Sequence, residues 1–325
     1  MGNTLILMYH RITELDTDPW ALAVTPASFE DHLEVITSRY EVVPLRDTLD
    51  RATRSARPCV TFTFDDGYAD NLPPARMLAA RGLPATYFLA AGQLGSPRQF
   101  WWDEVATIFL DSANLPDTLE LELESGRLQL DLLNDAEADG DRVDGRPWRA
   151  DQEPRTARQH AYLQSYRALR PLDPEQRERG LEVLAEWADI AREARPGMRS
   201  LTLDEVAELC ALDGVEIGAH TITHPVLASL PAERQRKEIV GSRRLLEEAS
   251  GRPVESFAYP HGTRADYTPE TVSIVAEAGL RRACAAVGGS LRPPVEPFEL
   301  PRFMVENWDG AELERRFAEA FGAQG

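Results

Sequence analysis

The chain has 325 residues, with 54 Asp and Glu against 35 Lys and Arg and a formal net charge of −19. An acidic surface of this kind repels phosphates at long range and excludes a nucleic-acid binder, while 43% hydrophobic residues exclude a wholly disordered chain. No apolar run approaches the roughly 18 residues of a membrane span.

The opening stretch, Met1 to His10, shows no basic start, long apolar segment or cleavage site, and Leu5 and Ile6 stand where a myristoylation signal would place a Ser or Thr. Cys59, Cys210 and Cys284 have no paired spacing, and two of them lie in apolar strand-like runs where a small buried thiol is ordinary. The expectation is a cytoplasmic protein with reduced thiols.

Short apolar runs alternate with helical patterns, which predicts a β/α architecture. Leu5 to Tyr9 reads as a strand. Thr25-Pro26 supplies an N-cap and first-turn proline for a helix with Phe29, Leu33 and Ile36 on its apolar face, leaving His32 on the solvated side. Val42-Val43 and Val60 to Phe64 read as strands, Asp70 to Arg81 as a helix closed by Gly82, and Ala85 to Ala90 as a strand.

From about residue 93 the rhythm breaks. Phe100 to Leu110 reads as an apolar helix, Leu119 to Leu132 as a hairpin around Ser125-Gly126, and Asn134 to Pro154 as a mobile loop with little to bury. Thr156 to Leu169, which carries a solvated His160, and Pro174 to Ala194 read as helices. The alternation resumes after Gly197, with a helix over Leu203–Leu212 and a strand from Val215 to Gly218 running into His220. Pro231–Ser250 and Pro269–Ala278 follow as helices, Ser256–Tyr259, Arg282–Val287 and Phe298–Arg302 as strands, and a last helix starts at Asp309. The whole predicts one β/α domain over 1–325, interrupted by a mostly helical insertion over about 93–200 that serves as a lid, a specificity element or an oligomer contact.

Three polar clusters each follow a strand, and in a β/α barrel catalytic residues collect at the carboxyl ends of strands. In Thr63-Phe64-Asp65-Asp66-Gly67, two adjacent carboxylates repel one another unless a cation or proton intervenes, and neighbouring side chains of an extended segment diverge toward different tasks. Asp-Asp-Gly is equally good turn chemistry. In His220-Thr221-Ile222-Thr223-His224, histidines at i and i+4 lie on one face of a helical turn and can share a metal ion, with Pro225 ending the turn. One carboxylate and two histidines leave coordination positions open, as a hydrolytic zinc site or an Fe(II) oxygenase site needs.

The third cluster is Phe257-Ala258-Tyr259-Pro260-His261-Gly262. With it, the order Thr-Phe-Asp-Asp-Gly, His-Thr-x-x-His and aromatic-Pro-x-Gly resembles the NodB-type polysaccharide deacetylases, as does the opening Met8-Tyr9-His10-Arg11-Ile12. The resemblance covers about 1–92 and 200–305. It implies a distorted (β/α) TIM-like barrel of the NodB homology fold and a metal-dependent carbohydrate N-deacetylase. The implied cofactor is one divalent metal, Zn2+ ahead of Co2+, Ni2+ or Fe2+, held by Asp66, His220 and His224. By the same resemblance Asp65 is the general base for a metal-bound water attacking the acetyl carbon, and the His261 N–H helps hold the oxyanion.

Two departures from the family pattern assign further roles. Ala258 stands where the family often has an Arg that orients the base, which makes Arg302 the candidate replacement. The family's late Leu-x-His is absent, so His10 is favoured as general acid over His261. Tyr259, Pro260, His261, Trp102 and Asp103 are expected at the substrate, although Trp101 and Trp102 read first as a helix anchor and second as rings to stack on a sugar. The implied partner is an N-acetylated sugar, sugar nucleotide, lipid-linked glycan or glycoside, with no nucleic acid and no membrane span. Relatives that hydrolyse formamides or ring amides, and a catalytically silent carbohydrate-binding barrel, are the alternatives.

Overall fold

The computed structural model describes residues 4–50, 57–123, 126–132, 142–143, 146–195, 197–291 and 294–322. They fall into two compact units, one formed by Met1–Glu14, Ala23–Gly95 and Ser200–Gly325, the other by Leu15–Leu22 and Ser96–Arg199.

The first unit is built on parallel strands: β1 (Thr4–Tyr9), β2 (Cys59–Phe64), β3 (Ala85–Leu89), β4 (Val215–Ala219), β5 (Ser256–Ala258), β6 (Arg282–Ala285), β7 (Leu300–Pro301) and β8 (Phe303–Met304). Their order is β7-β6-β5-β4-β3-β2-β1-β8. The register runs from Thr4↔Cys59 to Tyr9↔Phe64 between β1 and β2, from Val215↔Ala85 to Ala219↔Leu89 between β4 and β3, and includes Cys284↔Leu300 and Leu7↔Phe303 at the margins. The margins β7 and β8 are one stretch of chain interrupted only by Arg302, so the sheet returns on itself as a nearly closed barrel. The single strand expected over Phe298–Arg302 is thus two, one pairing to each side.

Strands buried on both faces read as continuous apolar runs, and alternation along them separates two layers. Leu5, Leu7 and Tyr9, with Val60, Phe62 and Phe64 and with Tyr87 and Leu89, pack in a large cluster with helix residues such as Phe29, Leu33 and Ile36. A smaller cluster takes the intervening residues Ile6, Phe88, Ala258, Cys284 and Leu300 and fills the barrel interior. Position for position, His10, Thr63, Asp65 and Arg302 continue the interior rows.

The crossovers are helical, including Pro26–Arg39, Leu72–Ala80, Ala232–Ser250 and Pro269–Glu277. On the first of these, His32 corrects the expectation of a solvated residue. It stands three residues after Phe29, inside the buried stripe Phe29, His32, Leu33, Ile36. Its Nδ1 lies 3.1 Å from the Tyr9 hydroxyl and its Nε2 2.8 Å from the Trp308 carbonyl, so both polar tips are satisfied. Burial pushes this imidazole below its usual range, outweighing the Trp308 bond. All three cysteines are buried, Cys59 in β2 and Cys284 in β6.

In the second unit, Trp101–Ala106 is α-helical and passes into a π-helical turn at Thr107–Asp111. Thr118–Leu123 pairs antiparallel with Gly126–Asp131; Ser125, expected in their turn, lies outside the described residues. Helices span Ala157–Leu169, with His160 exposed, and Pro174–Ala188. The latter stops short of the expected Ala194 because Asp189 adopts a left-handed conformation at φ 52°. The loop expected over Asn134–Pro154 falls in large part outside the described residues. No helix among the described residues is long and apolar enough to cross a membrane.

Candidate active site

The site grows from strand ends of the first unit. Beyond β2 the chain keeps its alternation for one residue, turning Asp65 inward, and then breaks at Asp66 with φ 73° and Gly67 with φ 91°. A Cβ at Gly67 would approach Leu89 Cδ2 to 2.9 Å, so the turn needs glycine for space as well as for conformation. The main chain fastens this turn. Asp65 N–H donates to Tyr9 O at 2.9 Å, and Ala90 N–H donates to Asp66 O at 3.1 Å.

Asp65 is buried and meets the equally buried Arg302, whose two terminal nitrogens donate to Oδ1 at 2.6 Å and Oδ2 at 2.7 Å. Arg302 also donates to Thr63 Oγ1 at 3.3 Å and lies over the Phe88 ring. Burial alone would push the Asp65 carboxyl up. The Arg302 guanidinium, with smaller help from His220 and His10, reverses that and holds it below the usual carboxylate range. Asp65 is therefore ionised and fixed in orientation, two properties a base requires.

Asp66 faces the histidine pair. Its Oδ1 lies 3.5 Å from His220 Nε2 and 3.3 Å from His224 Nε2, and all three residues are buried. His220 Nδ1 sits 2.8 Å from the Ala258 carbonyl, which only accepts, so the proton is on Nδ1 and Nε2 presents a lone pair. In the neutral imidazole the Nε2 lone pair therefore faces the Asp66 carboxylate oxygen. Asp66 Oδ1 has no hydrogen-bond donor among the described residues. The three ligand atoms lie within 4.8 Å of one another, a donor set that fits one divalent cation.

The histidines reach this point on a loop and not on a helical turn, which corrects the i,i+4 expectation. Thr221 at φ 65° and His224 at φ 52° are both left-handed, and the Thr221 hydroxyl accepts the His224 N–H at 3.0 Å. His261 lies beside the pair, its ring centroid 4.8 Å from that of His224, in a third left-handed position at φ 59°. Of six non-glycine residues with positive φ among the described residues, four (Asp66, Thr221, His224 and His261) line this one site. Each such conformation costs about 1–3 kcal/mol, a strain that gathers at functional sites.

His10 follows β1 at the position beside Asp65, and its buried Nδ1 has no hydrogen-bond partner among the described residues. Pro260 is buried, with its carbonyl accepting the Gly262 N–H at 2.6 Å. Tyr259 departs from its expected place at the substrate. Alternation turns its side chain into the helix-facing layer, where the hydroxyl donates to Phe298 O at 2.9 Å and the ring stacks on Tyr267. Trp102 and Asp103 belong to the second unit, where both are buried and Trp102 stacks on Phe100 at 4.7 Å.

Comparison with known proteins adds a second line of observation. Residues 183–283, which hold both histidines and the Tyr259–Gly262 segment, match the polysaccharide deacetylase family model. A chitooligosaccharide deacetylase of Azorhizobium caulinodans is 30% identical over 127 residues, 39% of this chain and 55% of that protein, so the chain spans about half the length of this relative. IcaB from Ammonifex degensii shares the fold with a TM-score of 0.60 at 16% identity, covering 99% of this chain and 98% of that one. The Streptococcus pyogenes deacetylase PplD, solved in complex with acetate, gives a TM-score of 0.57 at 16% identity over 96% and 97%. The family match is confined to residues 183–283, and the two solved structures share the fold.

Within this barrel further polar residues support the site, Arg11 from the opening motif and Asp70 and Asn71 from no motif of their own. Arg11, buried two residues past the end of β1, donates from Nε and Nη2 to Asp70 Oδ2 at 2.9 and 2.8 Å. Asn71 donates to the His10 carbonyl at 2.8 Å, tying the end of β1 to the turn after Gly67. Burial, the largest influence, raises the Asp70 carboxyl despite Arg11. The adjacent pair Asp70-Asn71 within a few residues of Asp65-Asp66 is the available signal, and in the sequence alone it looks like a helix start.

Proposed function

We propose that this chain is a metal-dependent hydrolase that removes the N-acetyl group from an acetamido sugar of a glycan or glycan precursor. The observation that carries the reading is the convergence of Asp66 Oδ1 with the His220 and His224 nitrogens beside a carboxylate, Asp65, clamped by Arg302. A divalent cation, with Zn2+ the first choice and Co2+, Ni2+ or Fe2+ suited to the same donors, would supply Lewis-acid polarisation of the amide carbonyl and hydroxide near neutral pH. The chain's own groups do the rest. Asp65 accepts the proton of the attacking water, and Arg302 keeps that carboxylate ionised and aimed. The N–H of His261, whose backbone is left-handed at φ 59°, would donate to the developing oxyanion. His10 delivers a proton to the amine as the C–N bond breaks and acetate departs.

Metal content measured by mass spectrometry after zinc reconstitution, beside acetate release from an N-acetylated chitooligosaccharide, tests this. The wild type is expected to hold about one ion per chain, and Asp66→Ala to lose it. Asp65→Asn is expected to keep the ion and lose turnover by about a hundred- to ten-thousand-fold. No specific ion in the wild type overturns the reading in favour of a carbohydrate-binding barrel, and full turnover in Asp65→Asn removes Asp65 as base.

A further inference from the structure

Between the two histidines run three residues that no strand supports, yet two of their amides share one acceptor. Glu238 Oε2 accepts the Ile222 N–H at 2.8 Å and the Thr223 N–H at 2.9 Å, and Oε1 accepts the Thr223 hydroxyl at 2.8 Å. Glu238 is 8% exposed and sits on the helix Ala232–Ser250, whose surface is otherwise rich in mutually paired Arg and Glu. Among the described residues no cation pairs with it, so its charge is directed at the loop amides.

The same helix face receives Ile222 one turn further on. A Cβ at Gly241 would come within 2.6 Å of Ile222 Cδ1, and a Cβ at Gly92 within 2.7 Å of Ile222 O. From the opposite side, Ala91 N–H donates to Thr221 O at 3.0 Å and Gly92 N–H to Ile222 O at 2.8 Å. The loop is therefore gripped between the chain after β3 and one buried carboxylate on a helix. Its conformation is one the loop would not hold unaided, because Thr221, a β-branched residue, and His224 are both left-handed.

We propose that Glu238 is a positioning residue that tethers the Thr221–Thr223 backbone and thereby holds His220 and His224 in metal-competent geometry. The inference rests on the metal-site reading above and deepens it. An outer partner of this kind, acting on ligands that it does not itself coordinate, typically changes metal affinity by about 10–100-fold. Gln at this position keeps an oxygen that can accept both amides and an NH2 that can donate to the Thr223 hydroxyl, whereas Ala keeps nothing.

The test pairs calorimetric titration of zinc into metal-free wild type, Glu238→Ala and Glu238→Gln with hydrogen exchange at the Ile222 and Thr223 amides. Glu238→Ala is expected to bind zinc about 10–100-fold more weakly and to lose protection at those two amides, with the helix Ala232–Ser250 still protected. Glu238→Gln is expected to stay within a few-fold of wild type. Unchanged affinity and protection in Glu238→Ala overturns the proposal, and so does an equal loss in Glu238→Gln, which would assign the effect to charge alone. Should the wild type bind no zinc, the metal reading fails separately. The exchange rates then still decide the tether, supporting it if Ala alone loses protection and overturning it if neither variant does.

Discussion

The turn after β2 and the loop after β4 each force non-glycine residues into the left-handed region, Asp66 in one, Thr221 and His224 in the other, and they are restrained by different means. Main-chain bonds secure the first: Asp65 to Tyr9, Ala90 to Asp66, and Leu201 N–H to Gly67 O at 2.9 Å. Side chains secure most of the second, through the Thr221 hydroxyl and the Glu238 carboxylate. The base-bearing turn is thus a continuation of the barrel wall, while the ligand-bearing loop is fastened from outside. A fault at Asp65 or its Arg302 clamp should appear in protonation and rate with the ion retained, whereas one at Asp66 in the same turn should cost the ion. A fault in the second should appear as metal affinity.

The sharpest way to break that division is Arg302→Gln. Removing one partner of a buried pair leaves an uncompensated carboxylate and is expected to cost about 3–5 kcal/mol in denaturant unfolding. Because burial is no longer outweighed, the Asp65 carboxyl rises and the acid limb of activity moves to higher pH. The sign follows from the depressed value in the wild type: the stability gained from the pair is complete above about pH 4, the ordinary carboxylate value, and is lost as pH falls through the lower folded one. Wild type and variant should therefore converge in acid. Zinc content is expected to stay at the wild-type level, and its loss would merge the two regions into one unit.

A smaller effect is expected from His10→Ala, which should lower turnover by about a hundred-fold or more with zinc retained. An unchanged rate would transfer the acid role to His261. The smallest belongs to Thr221→Val. Taking away the acceptor of the His224 N–H costs about 1–3 kcal/mol locally, and zinc titration should show a few-fold weaker affinity, because Ala91 and Glu238 keep their hold. A change in the pH profile of Thr221→Val, with affinity untouched, would contradict the division of labour.

Much of this was legible in the linear sequence, for a physical reason. Polar residues at the end of apolar runs, as in Phe64-Asp65-Asp66 and Ala219-His220, have few structural uses, so the strand ends announce the site. The barrel follows from the same runs, whose alternation also puts Asp65 and Arg302 on the inner rows. His32 stands at i+3 from Phe29 and so on the buried face, but only the fold supplies the Tyr9 and Trp308 partners that make its burial tolerable. The histidine spacing suggested a helix, and only tertiary contacts such as Glu238 stabilise the left-handed backbone that replaces it. Glu238 itself is one acidic residue among many on an amphipathic helix, and nothing local marks it. Tyr259 was read from its neighbours, whereas the parity of β5 turns its ring outward. The membership of Leu15–Leu22 in the second unit has no local signature, since it depends on packing far away in the chain.

Arg302 occupies the one residue between β7 and β8, and so stands at the seam where the sheet meets itself. The same residue neutralises and aims Asp65. During synthesis, a chain that has emerged only as far as Leu300 already carries both aspartates and both histidines, yet its barrel is open and its base has no counter-ion. On the proposed function, the base therefore gains its counter-ion only with the last strand, when Arg302 reaches Asp65.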